Sequence, residues 1–202
     1  MTPIKKVFST LLAKSIQQGI KKLTQQSVRW FNQYVRQNLA KQVTIAQLQG
    51  NKQLHIAPKL KLGKMYFFAY DAKHKDKLPY WDAAPLVIPI SETKTSIIGL
   101  NLHYLPIPYR AKLLDALYDL LTNDKMDDTT RIRVTYQMLQ SAAKYRYFRP
   151  CIKEYLKSNF QSRFIEVPVA YWETAIFLPV ADWQNASKDD VYKDSLRIIR
   201  GK

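Results

Sequence analysis

Two short stretches of this chain carry residue types suited to nucleic-acid contact. Lys144-Tyr-Arg-Tyr-Phe-Arg149 interleaves cations with aromatic rings. Lys144, Arg146 and Arg149 can neutralise phosphates, while Tyr145, Tyr147 and Phe148 can stack on exposed bases, as at single strands or DNA ends. The same spacing suits a helix end whose rings pack inward and whose cations snorkel outward. Lys73-His-Lys-Asp-Lys77 offers a second set, with Lys73, Lys75 and Lys77 able to touch phosphate.

Catalytic constellations are missing by comparison. The chain has no Gly-rich phosphate loop, no Gly-x-Ser-x-Gly turn and no His-Glu-x-x-His. A nuclease needs clustered carboxylates to hold Mg²⁺. Asp71, Asp76 and Asp82 are close in sequence, but Lys73, Lys75 and Lys77 interleave with them. Alternating signs predict a salt-bridged turn rather than a metal cage. Asp127-Asp128 reads as a helix N-terminus that complements the dipole. The three histidines, at 55, 74 and 103, are too few and too scattered for a multi-His metal site. His103, in an apolar stretch, reads as a packing histidine. The single cysteine, Cys151 beside Pro150, rules out a disulfide framework and reads as buried and inert. The expectation is no enzyme, no metal and no cofactor.

Charge is the largest departure from an ordinary composition. The 202 residues carry 32 Lys and Arg against 16 Asp and Glu, a net +16. Residues 1–70 hold 12 of the bases and none of the acids, and the first acid is Asp71. Random placement would leave that stretch acid-free about one time in a thousand, so the basic arm is a selected feature. It is also rich in Gln, with ten between Gln17 and Gln53. A polyanion is the first partner such an arm suggests. A membrane surface or plain solvation are the alternatives. A mitochondrial presequence shares the basic, acid-free character, but the pattern runs well beyond one. No stretch approaches the roughly 18 apolar residues needed to span a bilayer, so no membrane-spanning segment is expected, and DNA rather than a membrane is the expected partner.

These candidates need elements to position them. On a helical wheel Leu12, Ile16, Ile20, Leu23, Trp30, Phe31 and Tyr34 share one side. Lys14, Lys21, Lys22, Arg29 and Arg36 share the other, as a basic ridge. The pattern predicts a long helix over residues 5–49, stopped by Gly50. Residues 1–50 are then a helical arm, 51–63 a linker, and 64–200 a globular domain. Within the domain, residues 64–70, 85–90 and 96–105 read as strands of an antiparallel meander, with an SH3-like barrel as one form of it. Pro85 and Pro89 predict an edge position for the second strand. After Pro106 the spacing turns helical, with Leu113, Leu114, Leu117 and Leu121 on one helix and Ile132, Tyr136, Leu139 and Ala143 on the next. A short helix is expected over residues 151–160 and a strand over 163–167, while 170–180 fits either type. Ser187 and Asp190 predict a capping pair for a final helix. The expected fold class is α+β: a long basic N-terminal helix, a small antiparallel sheet and a mainly helical C-terminal half.

Several phrases of the domain together resemble a known group. They are residues 65–82 (MYFFAYDAKHKDKLPYWD), 85–90 (PLVIPI), 99–106 (GLNLHYLP), 131–136 (RIRVTY), 148–153 (FRPCIK) and 172–179 (WETAIFLP). They are similar to proteins of T4-like tailed phages, in the DNA end protector and head completion family. The resemblance covers roughly residues 60–199. It implies a virion protein, made in the host cytoplasm and placed in the phage head or at the head–tail junction. Such a protein binds the end of the packaged double-stranded DNA, shields it from exonuclease and helps complete the head for tail joining. Its protein partners would be portal, head-completion or tail proteins, and a homo-oligomer stays open. No catalytic residues carry over. A structural head–tail connector or tail-completion protein, whose basic arm contacts protein instead, is the alternative.

Overall fold

Pro85-Leu-Val-Ile-Pro-Ile90 is an unbroken apolar run, the pattern of a strand buried on both faces. It lies inside a six-stranded sheet in the computed structural model, which describes residues 55–110, 113, 125, 127, 130, 137–141, 145–167, 172 and 181–201. The strands are β1 (His55–Ala57), β2 (Met65–Phe67), β3 (Trp81–Asp82), β4 (Leu86–Glu92), β5 (Ser96–Asn101), β6 (Ile152–Leu156), β7 (Phe164–Val167) and β8 (Trp183–Gln184). The large sheet runs β1-β7-β2-β4-β5-β6, and β3 pairs with β8 separately. Every pairing is antiparallel. The α-helix α1 spans Lys188–Arg200.

This architecture corrects the expected fold class. The described residues are mostly sheet, and α1 is the one element among them that reaches two turns of α-helix. A mainly helical C-terminal half is overturned by β6, β7 and β8. The expected helix over 151–160 is instead two 3-10 turns, Arg149–Cys151 and Lys157–Asn159, flanking β6. The reason is visible in Ile152 and Tyr155. Three residues apart, they share a helix face but take opposite faces of a strand. Ile152 packs on the main core, and Tyr155 belongs to a separate aromatic cluster. The long arm helix, the arm and most of the linker lie outside the described residues, as do most of the two expected helices between 111 and 144 and the 170–180 segment. No barrel closes among the described residues, where β1 and β6 are the edges of an open ladder.

The edge position expected for residues 85–90 is also corrected. β4 sits between β2 and β5. Pro89 lies where the register with β5 shifts, between Pro89 and Ser91, and past the end of its neighbour β2, which pairs only with Leu86 and Val87 of β4. Its carbonyl accepts from Gly63 N at 3.0 Å. Opposite Pro89 lies Gly99, and a Cβ there would meet Val87 Cγ1 at 2.3 Å. We expect Gly99→Ala to destabilise the fold by about 1–3 kcal/mol through overpacking. Urea denaturation measures this, and an unchanged midpoint would show that Val87 yields freely.

Each face of the sheet carries its own core. Met65, Leu86, Ile88, Ile90 and Leu100 face one cluster, shared with Val191, Leu196 and Ile199 of α1. Tyr66, Phe68, Tyr70, Val87 and Tyr155 face the other, with Phe160 and Phe164 packed against it. Phe68 meets Phe160 edge-on at 5.0 Å and Tyr155 at 5.5 Å. α1 begins with the expected capping box, in which Ser187 Oγ accepts from Asp190 N at 3.2 Å. It ends at Gly201, in the left-handed region with φ 72°.

Candidate nucleic-acid interface

The basic loop over residues 71–80 is held at both ends by backbone bonds. Tyr70 N donates to Ala83 O at 2.9 Å, and Asp71 N donates to Asn159 O at 3.1 Å. Lys77 N and Leu78 N both donate to His74 O, closing a turn. Lys73, Lys75 and Lys77 are exposed along it. Lys75 pairs with Asp71 at 2.5 Å, the salt-bridged turn that the alternating signs predict.

Asp82, at the far end of the loop, is buried rather than part of a surface carboxylate cluster. Its Oδ2 accepts from His103 Nδ1 at 2.7 Å and Asn101 Nδ2 at 3.0 Å. Its Oδ1 accepts from Ala84 N and Asp182 N, each at 3.1 Å. With both oxygens so engaged, the carboxylate is a structural post that ties β3, β5 and the approach to β8 together. Among the described residues no group of His, Cys, Asp or Glu is placed to hold a metal ion. His103 is only 1% exposed, and burial lowers its pKa despite the Asp82 carboxylate. It is a buried packing group, held neutral by that burial. Cys151 is likewise buried, and burial pushes its thiol up to about 12.

Beside the loop lies a cavity of about 450 Å³. Lys73 and His74 border it from the loop, and Tyr80, Trp81, Tyr104 and Lys153 line it further in. Tyr80 and Trp81 are half-buried, whereas Tyr104 is buried. Lys153, on β6, holds its ammonium 3.9 Å from the centre of the Tyr104 ring. Burial lowers the Lys153 pKa, and no carboxylate lies within ion-pair range of it among the described residues. Sequence reasoning passed over these residues. Tyr80-Trp81 does continue the cation–aromatic pattern of the loop, but Lys153 enters only because residues 152–156 form a strand.

The second candidate stretch divides. Phe148 is 7% exposed and packs in the main core, which removes it as a stacking surface. Tyr147 stacks on Tyr109 at 6.2 Å, with the Arg146 guanidinium 5.8 Å from its ring centre. Arg146 also lies against Gly201 at the carbonyl end of α1, where the helix dipole favours a cation. Tyr145 and Arg149 are exposed. Lys144 and the arm cations Lys14, Lys21, Lys22, Arg29 and Arg36 lie outside the described residues. The described candidates therefore occupy two places, the loop beside the aromatic cavity and the turn beside the end of α1.

Among the described residues no helix is long and apolar enough to cross a membrane. A model of the family described as phage T4 terminal DNA protecting protein matches residues 4–196. No curated protein and no solved structure matches the chain.

Proposed function

Since the chain belongs to the phage T4 terminal DNA protecting protein family, we propose that it binds the end of a packaged double-stranded genome and shields it from exonuclease without catalysing a reaction. The match over residues 4–196 carries this reading, because it takes in the acid-free arm and the globular part together. Phosphate neutralisation supplies most of the affinity. Lys14, Lys21, Lys22, Arg29 and Arg36 contribute from the arm. Lys73, Lys75 and Lys77 contribute from the loop, and Lys144, Arg146 and Arg149 form a further set in the sequence. Such contacts are blind to sequence, which suits a protein that must hold whatever base pairs the packaged genome ends with. The protein acts in the virion, in the head or at the head–tail junction, and helps complete the head for tail joining. Portal, head-completion or tail proteins are its protein neighbours there.

Incubation with linear or closed circular DNA and Mg²⁺ or Mn²⁺ tests the non-catalytic part. Both substrates should remain intact, and Asp71→Ala should behave as the parent does. Metal-dependent cleavage that is lost in Asp71→Ala would overturn this reading.

A further inference from the structure

The cavity beside the basic loop combines three features that a charged surface alone does not require. Its volume of about 450 Å³ falls within the range of about 300–1,000 Å³ typical of small-molecule sites. That is room for one nucleotide and not for a duplex. Its more accessible rings, Tyr80 and Trp81, sit close to exposed Lys73 and His74. The half-buried Lys153 holds its ammonium over the buried Tyr104 ring, with no carboxylate in ion-pair range among the described residues.

We propose that this cavity receives one unpaired nucleotide from the terminus of the DNA, with its base against Tyr80 and Trp81 and its phosphate between Lys153 and Lys73. The proposal rests on the end-binding reading above and deepens it, because it supplies the end preference that phosphate neutralisation lacks. An aromatic wall accepts any base, since every base has a π-face. The desolvated ammonium selects for a ligand that brings a negative charge. A purely apolar ligand would bury Lys153 further with nothing to offset its charge. Two carboxylates border the cavity: Asp82 has both oxygens engaged by His103, Asn101 and two backbone amides, and Glu154 is exposed on β6 and makes no ion pair with Lys153. Only a terminus offers the ligand cheaply, because an internal base must first be unpaired and unstacked. A closed circle has no such nucleotide.

The test uses the full chain and linear duplexes carrying 5-iododeoxyuridine as the last nucleotide of the 3′ or of the 5′ strand end. Irradiation of the complex should crosslink the terminal base to Tyr80 or Trp81, as located by peptide mass spectrometry. Lys153→Met, which keeps the bulk of the side chain without its charge, should reduce that crosslink about tenfold while binding to closed circles changes less than twofold. A crosslink confined to Tyr145, Tyr147 or other residues outside the cavity, in a protein that still protects ends, would overturn the pocket and leave end binding standing. Failure to protect ends at all would overturn both. Trp81→Leu serves as a second variant. Full protection and terminal crosslinking by a folded Trp81→Leu, Tyr80→Leu double variant would also sink the proposal.

Discussion

Neutralising Lys14, Lys21, Lys22, Arg29 and Arg36 to Gln in the full chain is expected to lower affinity for duplex DNA by about 10⁴-fold at 0.1 M salt. The figure follows from counterion release. Five phosphate contacts give a log–log salt slope of about −4.5, and the release term vanishes near 1 M. Removing residues 1–50 deletes these five together with Lys5, Lys6 and Lys41 and no acid, so the fall is at least as large. Fluorescence anisotropy from 50 to 300 mM salt reads both the affinity and the slope. An unchanged slope in a folded variant would mean that the arm does not contact phosphate, and would move the main DNA contact to the globular part.

Asp82→Ala is expected to cost about 3–5 kcal/mol of stability, since each buried donor left without its acceptor costs about 1–3 kcal/mol. The substitution leaves His103 Nδ1, Asn101 Nδ2 and the amides of Ala84 and Asp182 without their acceptor. At this chain length each kcal/mol moves the melting temperature by about 2–4 °C, so a fall of roughly 10 °C is expected. Asp82→Asn costs less, since one amide oxygen still accepts. The same network makes stability depend on pH. Burial lowers the pKa of His103 from its ordinary 6.5, and the cations Arg110 and Lys188 add to that, against the carboxylate of Asp82. The unfolded chain then takes up a proton that the folded chain refuses. Stability contributed by neutral His103 is present above about pH 6.5 and is lost as pH falls below it. Thermal melts from pH 8 to pH 5 should show this decline, and it should be shallower in His103→Gln. A flat profile in the parent would contradict the neutral assignment.

The parts of the fold legible in the sequence are those set by local chemistry. Ser187 and Asp190 declare the start of α1, because a capping box is written in two residues three apart. Met65–Phe67 and Phe164–Val167 are rich in aromatic and β-branched residues and form strands accordingly. Asp71 and Lys75 announce their own ion pair. The misread parts are those set by distant partners. Ile152–Leu156 carries a helix-compatible spacing, and only the free edge of β5 makes it a strand. Pro89 points to an edge, but it stays inside the sheet where the register with β5 shifts and past the end of β2. Asp82 looks like one of three loop carboxylates, yet three of its four partners are 19, 21 and 100 residues away. The candidate interface follows the same division. Loop cations are visible as a run, whereas the cavity needs residues from the loop, from the turn after β5 and from β6 to come together.

The central claim is that this protein recognises DNA ends rather than coating DNA by charge alone. The direct measurement is the lifetime of a linear duplex under a double-strand exonuclease, with about one protein per end and a large mass excess of closed circular competitor. End recognition predicts that protection survives the circles and disappears when short linear duplexes replace them. Protection that closed circles remove as efficiently as linear duplexes, at equal nucleotide concentration, would contradict the claim.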